Sequence, residues 1–250
     1  MEKKTKLSIV TATFNAANDL PKLIESLRNQ SDKDFEWVVA DGASSDATLA
    51  LLQSIDDMNI VISSQPDFGI YDALNRAIKL SSGDHYIVAG ADEYFHSDAI
   101  ANFRRAIEHS GADIVTASAM YGSKRMRVKN GPSWLFSQFS FIAAHTLATA
   151  FRKNLHLTYG YYSRLYPIAA DQYFVMRACS GGATRYESNF VAGELGQKGV
   201  SSVDRIGNAT ETFRVQMAMG GSILVQTILF VLRLLKARMR DVGRRRDARQ

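Results

Sequence analysis

Residues 7–19 read LSIVTATFNAAND, and Leu20, Leu23, Ile24 and Leu27 follow at helical spacing. The first seven form a β-branched run of strand length. The next six carry the Asn and Asp that open helices, and the apolar residues then recur three and four apart. The order is strand, loop, helix, and it returns along the chain. Residues 36–40, 60–63, 85–90 and 113–118 read as strands; residues 44–55 read as a helix; Tyr71, Leu74 and Ile78 share one helical face, and Ile100, Phe103 and Ile107 another. Such alternation predicts an α/β fold with a mostly parallel sheet flanked by helices. Ligands of these sheets bind beyond the carboxyl ends of the strands. That edge holds four loops, 13–19, 41–46, 64–72 and 90–95, all rich in Asp, Asn, Gly and Ser. Turn and cap chemistry accounts for any one of them; four on one edge point to a site.

A chain of 250 residues suits one large domain with an appendage, expected here as a domain over 1–215 and a helical tail over 216–250. The lone Cys179 has no partner for an intramolecular disulfide and no zinc-type spacing around it, which fits a reducing compartment. The apolar run after the basic start is too short for a signal peptide, so a cytoplasmic location is expected. The net charge of +5 is misleading, because residues 233–250 hold eight basic and two acidic groups, leaving residues 1–232 at −1. The basicity is that of a tail, and no nucleic-acid partner is expected.

The loops carry Ser8-Ile-Val-Thr-Ala-Thr-Phe-Asn15, Asp41-Gly-Ala-Ser-Ser-Asp46, Asp67-Phe-Gly-Ile-Tyr-Asp-Ala-Leu-Asn75, Ser82-Gly-Asp-His-Tyr-Ile87 and Gly90-Ala-Asp-Glu-Tyr-Phe95. In this order they resemble glycosyltransferase family 2, inverting enzymes of GT-A fold, and especially bacterial members that build surface polysaccharides. The likeness spans roughly residues 6–200. It implies transfer of a sugar from a nucleotide-diphosphate donor, a UDP-sugar foremost, to a glycan or lipid-linked acceptor, with Mn2+ or Mg2+ as cofactor.

The chemistry explains those residue types. A nucleotide diphosphate leaves with high charge, and a hard cation held by carboxylate oxygens neutralises it. The resemblance equates the turn after the fourth strand with the family's DxD motif, giving Asp92 and Glu93 as metal ligands, although Gly90 occupies the first acidic position and Glu replaces the last Asp. It assigns Asp41 to the base, with Thr11, Phe14 and Asn15 flanking base and ribose; Ala40 and Ala17 replace acidic residues common there. Asp72 and Asn75, three apart on one helix face, are expected to contact sugar or diphosphate, and Arg76 to meet phosphate or solvent. An inverting transfer also needs a base for the acceptor hydroxyl. The resemblance places it at Asp171, in Ile168-Ala-Ala-Asp-Gln-Tyr-Phe174, where an Asp also serves as a helix cap. His145 is read as either a ligand contact or a buried structural residue. The stretch 193–201, with Lys198, resembles the loop that closes the family's domain over the diphosphate. The aromatic residues between Trp134 and Tyr166 suit either core packing or a face for a polyhydroxylated ligand.

Residues 223–235 are strongly apolar but too few to span a hydrocarbon core, which needs ~20. Followed by a basic cluster, they read as an interfacial helix on an anionic membrane, which would place the protein peripherally at the inner face of the plasma membrane. Packing on the main domain or on another copy of the chain is the alternative, and homo-oligomerisation stays open. Two rival functions remain: a non-catalytic nucleotide-sugar binding protein, motivated by Gly90 and Ala40, and a sugar nucleotidylyltransferase, disfavoured because no glycine-rich basic loop follows the first strand. The absence of GxGxxG disfavours a nicotinamide dehydrogenase.

Overall fold

The computed structural model describes residues 5–196 and 203–247, with side chains through Met239. Nine strands form one sheet: β1 (Leu7–Thr13), β2 (Phe35–Asp41), β3 (Ile60–Ser64), β4 (His85–Val88), β5 (Tyr94–Phe95), β6 (Ile114–Tyr121), β7 (Lys124–Met126), β8 (Thr149–Arg152) and β9 (Arg185–Glu194). Their order is β3-β2-β1-β4-β8-β6-β9-β5, with β7 folded back on β6. The β1–β4 half is parallel, as expected. The whole sheet is mixed, because β8 enters antiparallel between β4 and β6, and β5 pairs antiparallel with β9. Parallel pairing still predominates, with the antiparallel strands confined to the half from β8 to β5.

The period-two alternation of β1 sends Ile9 to one face and Val10 to the other. Ile9 joins Trp37, Leu20, Leu23 and Phe103 in one buried cluster. Val10 joins Leu74, Ile78, Tyr86, Phe151 and Phe174 in the second. The helices covering the sheet are α1 (Leu20–Arg28), α2 (Thr48–Gln53), α3 (Ile70–Leu80), α4 (Ala99–Ser110), α5 (Ser133–Phe136), α6 (Leu155–Tyr159) and α7 (Ala170–Ser180), with a 3-10 turn over Ser137–Ser140. Most of the aromatic stretch is core: Tyr162 and Tyr166 are buried, while Trp134 stays exposed.

Two C-terminal helices, α8 (Arg205–Ala218) and α9 (Ile223–Asp247), complete the chain. The boundary expected at 215/216 falls inside α8, and the break between the helices comes at Gly220, where φ is +78°. α9 lays Gln226, Phe230 and Ala237 inward, with Phe230 5.3 Å from the Phe213 ring. Leu224, Ile228, Leu232, Leu235 and Met239 remain exposed on its other side. Among the described residues no helix is long and apolar enough to cross a membrane.

The start of α7 is held from a distance. Its N-cap position is Ala169, which offers no side-chain acceptor, so Asp171 lies within the first turn and is not the cap. Glu211 on α8 supplies the acceptor instead: its Oε2 takes the Ile168 and Ala169 backbone N–H groups, each at 2.8 Å. Leaving buried donors unpaired costs about 1–3 kcal/mol. Glu211→Ala should therefore lower unfolding stability by roughly that amount, and Glu211→Gln, which keeps an acceptor oxygen, should recover most of it in urea denaturation.

Candidate active site

The carboxyl ends of β1, β2 and β3 are tied together by Asp41. Its side chain is fully buried and accepts hydrogen bonds from Thr13 Oγ1 (3.1 Å), the Ser44 backbone N–H (3.0 Å), Ser64 Oγ (2.7 Å) and Ser44 Oγ. Burial pushes its pKa up, but the hydrogen bonds outweigh that and hold it below the usual carboxylate range. Its oxygens are engaged inside the loop, so the base contact expected of Asp41 would require one of these bonds to give way. The same bonds explain why α2 begins only at Thr48, because Ser44 is used as a loop brace.

Thr11 is also turned inward, where its Oγ1 accepts the Trp37 indole N–H at 3.0 Å, so it contacts the core and not the ribose. Asn15 adopts a φ of +49° and spends its carboxamide oxygen on the Ser45 backbone N–H at 2.9 Å, which locks the β1 loop to the β2 loop. Of the expected base-flanking residues Thr11 is buried, whereas Phe14, 67% exposed, and Asn15 both present surface. Gly42 lies between that ring and Asp67: a Cβ there would sit 3.4 Å from Phe14 Cδ2 and 2.7 Å from Asp67 Oδ2. Phe14, Gly42 and Asp67 thus form an open, flat mouth.

α3 uses its polar side chains as struts. Asn75 donates to the Tyr162 carbonyl (2.8 Å) and accepts from its N–H (3.0 Å), so both ends of its amide hold the Tyr162 backbone, beside any contact to a sugar. Arg76 donates to the Asp41 carbonyl (2.7 Å) and the Gln65 carbonyl (3.3 Å), a loop clamp where phosphate binding was considered. Asp72 accepts from Arg164 at 2.6 Å, and that ion pair is the first cause of its lowered pKa. Arg164 also stacks 4.7 Å from the centroid of the exposed Phe68 ring. His145 is buried, with Nε2 2.7 Å from the Tyr162 hydroxyl.

The acidic turn after β4 divides its two carboxylates. Glu93 is buried, its oxygens held by the Gly90 N–H (2.7 Å) and Thr146 Oγ1 (2.6 Å). Burial raises its pKa to about 7. It braces the turn from inside, a buried placement for a carboxylate expected as a metal ligand. Asp92 is partly exposed. It lies so close to Gly196 that a Cβ on that glycine would come within 2.1 Å of the Asp92 carboxylate. A side chain there would force the Asp92 carboxylate to move, so glycine lets the chain beyond β9 cross the turn with the carboxylate in place, a role the sequence shows merely as one of several loop glycines. Lys198 and the expected closing loop from residue 197 on lie outside the described residues.

Asp171 completes the edge. Its Oδ1 accepts from the Tyr71 hydroxyl at 2.7 Å and its Oδ2 from Gln138 Nε2 at 3.0 Å. The same hydroxyl also lies 2.9 Å from the Ile168 carbonyl, an alternative acceptor for its single proton. Burial, and next the Asp171 charge, push the Tyr71 phenol well above its ordinary value, so it remains a donor. Gln138 gave no signal in the sequence, since it sits in a stretch without periodicity.

Residues 8–173 match the model of glycosyl transferase family 2. The chain belongs to that family. A PGL/p-HBAD biosynthesis glycosyltransferase of Mycobacterium tuberculosis is 33% identical over 197 residues, covering 74% of this chain and 75% of the relative. The chondroitin synthase of Pasteurella multocida is 24% identical over 167 residues, 64% of this chain but 17% of that protein. Among solved structures, S. aureus TarS 1-349 in complex with UDP-GlcNAc superposes with a TM-score of 0.71 at 19% identity, covering 84% of this chain and 64% of that one. The mannosyltransferase PcManGT from Pyrobaculum calidifontis, in complex with GDP-Man and Mn2+, gives 0.68 at 17% identity over 88% and 66%. The chain spans 39% of the longer TarS structure. These likenesses establish the GT-A fold of this family 2 glycosyltransferase.

The Asp41 cluster has a pH signature. With its folded pKa held below the unfolded value of about 3.9, Asp41 contributes stability that is complete above that value and is lost as pH falls through the folded pKa. Asp41→Asn should lower stability at neutral pH by roughly 1–3 kcal/mol and flatten the loss seen on acidification, as measured by urea unfolding across that range.

Proposed function

We propose that the chain is an inverting, metal-dependent transferase that moves a sugar from a UDP-sugar to a glycan or lipid-linked acceptor in bacterial surface-polysaccharide synthesis. The observation that carries this reading is the pair of carboxylates left partly exposed while Asp41 and Glu93 are buried: Asp92 after β4, and Asp171 held by Tyr71 and Gln138.

Among the described residues no three His, Cys, Asp or Glu side chains gather as a metal-binding set. The donor set fits a cation held by the Asp92 carboxylate alone on the protein side, with diphosphate oxygens and water as its remaining ligands. A divalent ion so held would neutralise the charge of the departing nucleotide. Phe14 offers its ring face to the base beside Gly42 and Asp67. Asp171 takes the proton of the acceptor hydroxyl as that oxygen attacks the anomeric carbon, opposite the bond that breaks to the diphosphate. Tyr71 and Gln138 each donate to one Asp171 oxygen, which fixes the direction in which the carboxylate points.

The exposed stripe of α9, from Leu224 to Met239, together with the basic residues Lys236 and Arg238, supports docking on an anionic membrane surface, where a lipid-linked acceptor would reside. α9 also packs on the domain, so truncation is a poor test. Replacing Leu224, Ile228 and Leu232 together with Ser should abolish sedimentation with phosphatidylglycerol vesicles while leaving the melting temperature nearly unchanged. Unaltered vesicle binding would overturn the membrane reading.

A thermal-shift panel of UDP-, GDP- and dTDP-sugars with and without Mn2+ identifies the donor, because a ligand that binds only the native state raises its stability. The largest shift is expected from a UDP-sugar with Mn2+. Asp92→Asn should remove the metal-dependent part of that shift, since a neutral amide is a poor ligand for a hard cation. Asp171→Asn should preserve donor binding and slow transfer on the order of 10²-fold or more. Metal-dependent donor binding without any turnover would favour the non-catalytic reading instead.

A further inference from the structure

Gln138 is 7% exposed, on the 3-10 turn Ser137–Ser140. Its Nε2 donates to Asp171 Oδ2 at 3.0 Å. An ionised carboxylate only accepts, so this contact fixes which end of the amide faces it. The other end, Oε1, is buried and has no hydrogen-bond partner among the described residues. Burying an unpaired amide oxygen opposes folding, and an apolar side chain of similar volume would fill the same space without that penalty. Packing therefore does not account for a glutamine here, whereas the bond to Asp171 does.

The segment that carries Gln138 is fastened by the C-terminal helices. Gln216 on α8 donates to the Ser133 carbonyl (2.8 Å), and Gln226 and Arg233 on α9 donate to the Trp134 (2.8 Å) and Leu135 (3.4 Å) carbonyls. Gln226 is fully buried, and its own Oε1 is also unpaired among the described residues. Three successive backbone carbonyls thus receive side chains from the tail, and Gln138 follows three residues later. Glu211 of α8 holds the other approach to Asp171, through the backbone of Ile168 and Ala169.

We infer that Gln138 is a positioning residue for the base, and that α9 sets Gln138 through the backbone of residues 134–135. The tail is on this view part of the catalytic framework as well as a docking surface. The inference rests on the reading of Asp171 as the base.

Charged and titratable groups around Asp171 come from several elements: Tyr71 on α3, Tyr162 and His145 in the loops packed behind it, and Glu211 on α8. Removing the Gln138 donor leaves these in place and takes from the Asp171 carboxylate one of its two side-chain donors. The assay is nucleotide release from the UDP-sugar giving the largest thermal shift with Mn2+, using water as acceptor. Gln138→Leu should keep the melting temperature and the donor KM and lower kcat about tenfold, a split that a merely structural role would not give. Gln138→Glu, which matches the shape but sets a second carboxyl against the first, should lower kcat further at unchanged donor KM. Gln226→Leu, remote from Asp171, should give the same split at smaller size. Wild-type kcat in both Gln138 variants, with Asp171→Asn inactive, would refute the positioning role and leave the base assignment standing. Normal turnover in Asp171→Asn would remove both.

Discussion

The polar side of α3 governs the geometry of the whole carboxyl edge. Tyr71, Asp72, Asn75 and Arg76 reach, in turn, Asp171, Arg164, the Tyr162 backbone and the Asp41 carbonyl. One helix of eleven residues therefore connects the loop after β2 with the loop that leads into α7. Its apolar side, Ala73, Leu74, Ala77 and Ile78, is buried against the sheet, which fixes the helix axis before any of those bonds form. A rigid strut can only transmit position if its own seat is rigid, and this burial provides that. The donor-side mouth and the candidate base consequently keep a constant separation without touching each other.

The carboxylates of the edge show how environment sorts one chemical group into different tasks. Asp41 is buried but surrounded by donors, so it stays ionised and acts as a knot. Glu93 is buried with fewer donors and an acidic neighbour, so desolvation dominates and its pKa rises to about 7. Asp72 is neutralised by a surface arginine whose contribution to stability is small, as such exposed pairs generally are. Asp92 and Asp171, like Asp67 beside Phe14, combine partial exposure with a position on the open side. Function falls to what structure has not already consumed.

This sorting also explains what the sequence does and does not disclose. The strand-loop-helix rhythm of residues 7–118 is legible because buried β-branched runs and helical spacing are local signals, and the four loops follow from it. Local signals do not reveal which way a polar side chain turns. Thr11 and Thr13 share the inward face of β1 with Ile9, yet in the sequence they look like the start of a binding loop. Asn75 looks like a sugar contact because it is polar and stands beside Asp72, whereas the backbone it holds lies 87 residues away. β8 and β9 escape detection because they pair antiparallel or with bulges amid aromatic residues that read as surface. Gln138 and Gly196 matter only through contacts with Asp171 and Asp92, and no periodicity announces them.

The pairing of β5 with β9 sets an order of events during synthesis. Tyr94 and Phe95, just after the acidic turn, are joined to Glu194 and Gly193, and Gly196 then crosses Asp92. A nascent chain that has released only its first half has β1–β4 in register but an acidic turn with one side open. Contacts across a hundred residues close slowly, since the loop entropy is lost before the contact returns any stabilisation. The ribosome must therefore deliver almost the entire domain before the Asp92 turn acquires its final shape. An Asp92 turn that closes this late would leave the carboxyl edge of the emerging chain incomplete until β9 and the helices behind it have docked.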